Sequence, residues 1–376
     1  LTASAGAGHV MAGKAIAEAF AHEAPQVDVV VQDLLEWSGP MFRATYARGY
    51  LALVNHAPTL MGLLYDGADR PPGSLPDLLR RGIQYIGLRR AARRILECRP
   101  RLVINTHFLS AELLAGLRRA GRVHCPQFTV MTDFEAFRLW AQQPTERYFV
   151  ASEVGAAGLE RWGVDRGDVR ITGIPVRAPF ATLAGRGAVR RWHGLPADVP
   201  VVLLLCGGFG VGPAEEMLAE LLRLRNEAQV VVITGRNEPL RRRLEAQAAG
   251  AGPAARVLGY TDRIHEWMQA ADLIISKPGW LTSAEALCCG TPLVIVRPIP
   301  GHEARNSDFL LEHGAAIKVN HVRLLRARVD ELLDDRGRIE RLSAAARDLA
   351  RPDAAVRIVR AALEFLEISS PRPRPR

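Results

Sequence analysis

The residues best suited to chemistry lie between Ile275 and Gly301, in ISKPGWLTSAEALCCGTPLVIVRPIPG, and run on through HEARNSDFLLEHGAAI. Lys277-Pro278-Gly279 reads as a sharp turn between an apolar strand closing at Ser276 and a helix over Leu281 to Cys289, which Gly290 stops. A glycine turn at a helix N-terminus offers backbone N–H groups and the positive end of the helix dipole to an anion. Thr282 and Ser283 open that helix, and Glu285 lies on its first turns, where a carboxylate can accept hydrogen bonds from ribose hydroxyls. Together these groups suit a nucleoside diphosphate; an ordinary αβ turn with a satisfied cap is the competing reading. Leu293 to Val296 is the next strand, and Pro298, Pro300 and Gly301 break it before a helix rich in Glu303, Arg305 and Asn306.

Other strand ends carry residues of the same kind. Gly6-Ala7-Gly8-His9 follows a short strand, Leu1-Thr2-Ala3, and precedes a helix over Val10 to His22. Val201 to Leu205 ends in Gly207-Gly208-Phe209-Gly210, where glycine lets the backbone approach phosphate. Gly235-Arg236-Asn237 closes a further strand and adds a guanidinium suited to a diphosphate. His9, at an ordinary pKa of ~6.5, is matched to general-base work near neutral pH; a helix cap or a core residue is the alternative. Asp133, in VMTDF, is the second candidate base. At ~3.9 it is a weak one unless burial raises it, and it would otherwise orient His9, hold the acceptor or cap a helix. There is no D-x-D sequence, so a metal-chelating donor site has no support and no metal or other cofactor is expected. Cys98, Cys125, Cys206, Cys288 and Cys289 show no metal-ligand spacing and read as reduced thiols of a cytosolic protein.

These residues must be positioned by alternating strands and helices. Val27 to Gln32, Leu102 to Asn105, Gln127 to Met131 and Arg147 to Ala151 read as strands in the first half. Val201 to Leu205, Gln229 to Thr234, Arg256 to Leu258, Asp272 to Ile275, Leu293 to Val296 and Ala316 to Val319 come in the second. Strands alternating with helices predict parallel sheets, and two such runs predict two Rossmann-like domains. Leu78 to Leu96 reads as one helix carrying Arg80, Arg81, Arg89, Arg90, Arg93 and Arg94. Pro71, Pro72 and Pro76 bracket the loop before it, and Met41 to Leu64 is apolar and aromatic with few charges. Ala354 to Leu366 is a last amphipathic helix, and SSPRPRPR is a disordered tail. The chain opens inside the end of a strand, which reads as a fragment whose preceding residues are out of view.

At 376 residues, 48% hydrophobic and without an apolar run of ~18–20 residues, the chain reads as a globular protein of two or three domains with no membrane span. Lys+Arg minus Asp+Glu is 49 − 40 = +9, nearly all of it arginine. That charge suits an anionic membrane surface, or reflects arginine replacing lysine on a solvated face. Nucleic acid is not expected: no binding motif is present and aromatics are 6%.

The run SKPG…T…EAL..GTPLVI.RPIPG.E..N..FLLEHGAA resembles the donor-nucleotide motif of glycosyltransferase family 28, in the branch of monogalactosyldiacylglycerol synthases and processive diacylglycerol glucosyltransferases. GAGH, VMTDF, ITGIPV and GYTDRIHEWM fall in the family's order, so the resemblance spans nearly the whole chain. It implies an α/β protein of GT-B fold: residues 1–178 an acceptor- and membrane-facing domain, 179–352 a nucleotide-sugar domain facing it across a cleft, 353–368 a helix crossing back, 369–376 a tail. It implies that Gly8, Gly207, Gly208, Arg236, Asn237, Ser276, Lys277, Pro278, Gly279, Thr282 and Glu285 line the nucleotide-sugar site. Gly259, Tyr260 and Thr261 would read the uracil, and Pro300, Gly301, His302, Glu303 and Asn306 would contact the sugar. His9 and Asp133 would be catalytic. The expected reaction is inverting, metal-independent transfer of glucose or galactose from the UDP-sugar to diacylglycerol by a peripheral protein at the cytoplasmic face of the cell membrane. Met41 to Leu64 would dip into the bilayer and the six arginines would grip anionic headgroups. Three residues depart from the family pattern: Phe137 where relatives carry histidine, Trp280 where glycine is usual, and Phe209 in a loop that often carries His or Glu. They leave open another lipid-linked or small acceptor, a UDP-GlcNAc 2-epimerase-like enzyme, or an inactive nucleotide-sugar-binding module.

Overall fold

Apolar strands buried on both faces pair in parallel, and ten of them are seen in two sheets among the described residues. The structure is a computed structural model, and it describes residues 1–4, 7–46, 49, 75–207 and 213–367. Most of the Met41 to Leu64 stretch, Gly6, Gly208, Phe209, Gly210, Pro71, Pro72 and the 369–376 tail lie outside those residues. The chain divides into two compact units: Leu1–Ala178 with Pro300–His302 and Pro352–Arg376, and Pro179–Ile299 with Glu303–Arg351.

In the first unit, α1 (Ala7–Glu23), α2 (Leu75–Gly87) and α3 (Arg89–Cys98) precede β1 (Val103–Asn105) and α4 (Phe108–Arg119). Then come β2 (Gln127–Val130), β3 (Arg147–Val150), α5 (Glu153–Arg161) and β4 (Val169–Ile171). The sheet order is β1-β2-β3-β4, all parallel. Residues 1–3 run beside β1: Leu1 N–H donates to the Ile104 carbonyl at 2.7 Å and Thr106 N–H donates to the Leu1 carbonyl at 3.0 Å. On their other side Thr2 forms a parallel bridge with Asp33. From residues 1–3 the chain therefore goes to one side, and β1 begins the run to the other, so their carboxyl ends flank a topological switch point. The expected strand over Val27 to Gln32 does not form; its backbone meets residues 1–3 only around that bridge, and Val29, Val30 and Val31 remain exposed.

The single helix expected over Leu78 to Leu96 is two helices. Gly87 is where they part: its carbonyl accepts from Gly39 N–H at 3.1 Å, and a Cβ there would sit 2.2 Å from Phe42 Cδ2. Close approach by that ring requires glycine.

The second unit has the doubly wound pattern. It holds α6 (Arg186–Trp192), β5 (Val201–Leu205), α7 (Ala214–Leu221), β6 (Gln229–Ile233), α8 (Glu238–Ala248) and β7 (Ala255–Leu258). α9 (Ile264–Ala270), β8 (Leu273–Ser276), α10 (Trp280–Cys289), β9 (Leu293–Val296), α11 (His302–Glu312), β10 (Ala316–Val319), α12 (Leu325–Asp334) and α13 (Arg336–Leu349) complete it. The sheet order β10-β9-β8-β5-β6-β7 puts the switch point between β5 and β8. Leu204 pairs with Ile275, one residue before each strand ends. The core packs Val202, Leu204, Val230, Val232, Ile275, Val294 and Ile317 under Leu218, Leu240 and Val329.

The last helix, α14 (Ala354–Phe365), belongs to the first unit. Its Ile358, Val359, Ala362 and Leu363 share one core with Ala15, Ile16, Ala19 and Phe20 of α1 and with Phe128, Val130 and Phe149. Arg360 Nε donates to Glu23 at 2.9 Å at the rim.

Candidate active site

The first switch point places His9 beside Thr106. Helix α1 begins at Ala7, so Gly8 and His9 lie in its first turn, while Thr106 and His107 come just after the end of β1. The Thr106 hydroxyl donates to the His9 carbonyl at 3.0 Å, and His9 Nδ1 lies 2.9 Å from the Thr106 carbonyl. A carbonyl only accepts, so Nδ1 carries the proton and Nε2 keeps its lone pair. Thr132 Oγ1 is 3.2 Å from the same Nδ1. Burial lowers the His9 pKa from 6.5 to about 4, against the Thr106 carbonyl, which raises it. The near-neutral pKa expected for His9 is thus corrected: this imidazole is neutral through the physiological range.

His107, which no sequence motif marked, joins Asp133, Phe137 and Trp140 around the ring. His107 caps α4, its Nδ1 accepting from Leu109 N–H at 3.0 Å, and its ring centroid is 4.4 Å from that of His9. Burial, and then the proximity of His9, hold its pKa well below the usual value. Asp133 accepts a hydrogen bond from Trp140 Nε1 at 3.1 Å, and the Trp140 ring is 6.4 Å from His9. Phe137 is buried edge-on against Phe108, with ring centroids 5.5 Å apart. An aromatic wall therefore stands at Phe137. The order of β1 in the sheet would have pointed to Thr106 and His107, since both come directly after a strand end at the switch point.

The second switch point gathers residues of the other motif. Gly207 leaves β5 with φ 72°, and Lys277-Pro278-Gly279 leaves β8. Gly279 occupies the N-cap of α10, which has no side-chain cap bond, so the cap is made by backbone alone. Asn306 Nδ2 donates to the Pro278 carbonyl at 3.3 Å, tying that loop to α11. Glu303 accepts from Ile299 N–H at 2.8 Å; burial raises its pKa. Burial lowers that of Lys277, opposed by Glu303. Ser276, Trp280 and Glu285 are buried, Thr282 partly so. Gly301 has φ 97°, and in the 300–302 segment burial lowers His302 to about 4. At the neighbouring strand ends Arg236 stacks on Tyr260, its guanidinium carbon 4.4 Å from the ring centroid. Gly259 precedes that ring, where a Cβ would sit 3.3 Å from Arg241 Cδ, and Thr261 Oγ1 accepts from Arg263 N–H at 3.1 Å. Asn237 Oδ1 accepts from Leu240 N–H at 3.0 Å as the cap of α8, so that oxygen is engaged in holding its own helix. Among the described residues, no group of three His, Cys, Asp or Glu is placed to hold a metal ion, and no helix is long and apolar enough to cross a membrane.

The family model described as monogalactosyldiacylglycerol (MGDG) synthase matches residues 9–176, and that of the glycosyltransferase family 28 C-terminal domain matches 206–358. The chain is 32% identical to a processive diacylglycerol beta-glucosyltransferase of Bacillus subtilis over 93% of its own length and 90% of that protein's. It is a family 28 glycosyltransferase. A second enzyme of that description, from Bacillus licheniformis, is 31% identical to it over 91% of this chain and 88% of the other. Among solved structures the family 28 enzyme is similar to Staphylococcus aureus MnaA with UDP, at TM-score 0.57 and 16% identity over 75% of this chain and 80% of that one. It is also similar to Anabaena HepE with UDP, at TM-score 0.52 and 15% identity over 74% and 80%. The fold is GT-B, and the family 28 enzyme is a UDP-sugar-dependent glycosyltransferase.

Proposed function

We propose that this enzyme transfers glucose or galactose from the UDP-sugar to the free hydroxyl of diacylglycerol, with inversion, as a peripheral protein at the cytoplasmic face of the membrane. The carrying observation is that similarity to enzymes named diacylglycerol glucosyltransferases runs through both units. The geometry of His9 agrees with it. With Nδ1 tied to Thr106, Nε2 takes the proton of the acceptor hydroxyl as its oxygen attacks the anomeric carbon. The bond from that carbon to the diphosphate breaks and its electron pair leaves with UDP. The N–H groups opening α10, with Lys277 and Arg236, meet the charge that develops there. Glu285 takes the ribose.

Three outcomes test this reading. With UDP-glucose or UDP-galactose, UDP release should require diacylglycerol and yield a glycolipid, and it should survive a chelator, since leaving-group charge is met by protein groups. Release independent of lipid would assign the enzyme another reaction; loss in EDTA with rescue by magnesium or manganese would end the metal-free assignment. Glu285→Ala should weaken UDP by ~1–3 kcal/mol, the range for hydrogen bonds to a charged group. Titration calorimetry showing unchanged UDP affinity would remove Glu285 from the site.

A further inference from the structure

A neutral imidazole has one nitrogen that donates and one that accepts, and the bond made by one fixes the duty of the other. The two histidines at the first switch point are fixed in opposite senses. His9 donates from Nδ1 to the Thr106 carbonyl at 2.9 Å, so its Nε2 is an acceptor. His107 accepts the Leu109 N–H on Nδ1 at 3.0 Å, so its proton sits on Nε2, which is a donor. Burial lowers the pKa of both from 6.5, and both rings are neutral through the physiological range.

The N-cap of α4 asks His107 only for an acceptor, and Asn, Asp or Ser supplies one with less to bury. The far side of the imidazole has no such duty. His107 is 1% exposed, and among the described residues no acceptor meets its Nε2–H. A buried N–H without a partner is costly and rare, and it calls for an acceptor that a ligand or water brings.

The ring is held where that N–H is of use. Phe108 lies 4.3 Å from it and Tyr46 6.5 Å, centroid to centroid. The His9 ring is 4.4 Å away and inclined by 66°. Two hydrogen bonds through one oxygen, each ~2.7–3.0 Å long, span such a distance. A donor and an acceptor side by side match a hydroxyl, which accepts from one and donates to the other.

We propose that His107 is a second acceptor-binding residue: its Nε2–H donates to the oxygen of the hydroxyl whose proton His9 Nε2 takes. One lone pair of that oxygen is engaged by His107, and the other forms the bond to the anomeric carbon. As that bond forms, the bond from the carbon to the diphosphate breaks and its electron pair leaves with UDP. The hydroxyl proton goes to His9; the His107 proton stays in place. Two bonds stop the hydroxyl from turning off the line of attack, so the gain is one of orientation.

The inference rests on the proposed function, with a lipid hydroxyl as acceptor and His9 as base. Two substitutions in the full chain separate it from capping, because an asparagine amide reaches as far as Nδ1 and a glutamine amide as far as Nε2. His107→Asn keeps the cap, so its melting midpoint should match wild type. Its kcat/KM for diacylglycerol should fall about tenfold or more, with the KM for the UDP-sugar unchanged. His107→Gln weakens the cap and presents an N–H where Nε2–H stood. Its midpoint should fall, while kcat/KM recovers to within about threefold of wild type. A residue that only caps gives the opposite order, glutamine below asparagine in activity as in stability, and that order overturns the proposal. So does a loss in His107→Asn that appears with diacylglycerol and not with a dialkylglycerol, which would put the N–H on an ester carbonyl. Wild type that transfers nothing to diacylglycerol ends the lipid-acceptor reading alone. UDP release to water then carries the comparison, since water offers the same oxygen, and equal rates in the two variants there overturn the role of His107.

Discussion

His9→Ala should lower turnover about 100-fold or more with saturating lipid while UDP affinity stays within a few-fold, the pattern of a group acting on the reacting hydroxyl and not on the nucleotide. The reason lies at the switch point, where Thr106 holds the histidine twice, by its hydroxyl on the His9 carbonyl and by its carbonyl on Nδ1. The ring is thereby set in the one tautomer whose Nε2 is a base. Its pKa of about 4 gives the prediction a second face. Above that value the imidazole is neutral and competent; below it Nε2 is protonated and the base is lost. The acid limb of kcat/KM, which reports the free enzyme, should therefore bend near about 4 and not near the ordinary 6.5. Asp133→Asn should also be damaging, since it removes the charge beside Trp140 Nε1, and should show in the KM for lipid as well as in kcat. Near-normal turnover in His9→Ala alongside a dead Asp133→Asn would reverse the two roles; near-normal turnover in both would place the base elsewhere.

Asp77→Ala should destabilise the first unit by ~3–5 kcal/mol, the cost of removing one partner from a buried ion pair and leaving the other charge uncompensated. Arg138 is buried and donates to Asp77, and Arg80 and Arg81 converge on the same carboxylate, so three guanidiniums lose a counter-charge at once. Asp77→Asn keeps an acceptor and should lose less. Urea titration followed by tryptophan emission is the measurement, with Trp140 lying two residues from Arg138. A shift below about 0.5 kcal/mol, the range of ordinary surface changes, would show that the cluster is not a structural lock.

The strands of the second unit were legible because nothing outside them decides them. Val201 to Leu205 and Leu293 to Val296 are continuous apolar runs ended by glycine or proline punctuation, and they form over those same residues. A strand buried on both faces needs no partner's identity to be read. Helix α10 was legible for a related reason: its turn and its Gly290 stop are local, and Gly290 adopts the left-handed conformation with φ 62°. What escaped was set at long range. The break at Gly87 depends on Phe42, which lies far upstream. The arginines of α2 were read as solvent- or lipid-facing because Glu112, which takes Arg80 inward, is 32 residues away. The pairing of His9 with Thr106 crosses 97 residues, so the residue type offered a candidate base but not its tautomer or its depressed pKa. Trp280 is buried at the first position of α10, and nothing in the structure explains why this chain has an indole there.

The seating of α14 on α1 bears on how this protein can be taken apart. The seam at Ala178 and Pro179 looks like a natural place to divide the gene. A fragment ending there would carry the whole β1 to β4 sheet and yet leave Ile16, Phe20 and Phe128 without the side chains of Ile358, Val359, Ala362 and Leu363 that complete their core. The amino-terminal half is, in that sense, encoded in two places, and its closing piece is translated after the second unit. A nascent chain therefore holds an unfinished first core until residues beyond 350 have emerged, and any hybrid made by exchanging halves between relatives must carry α14 with the half it closes, not with the half that precedes it in sequence.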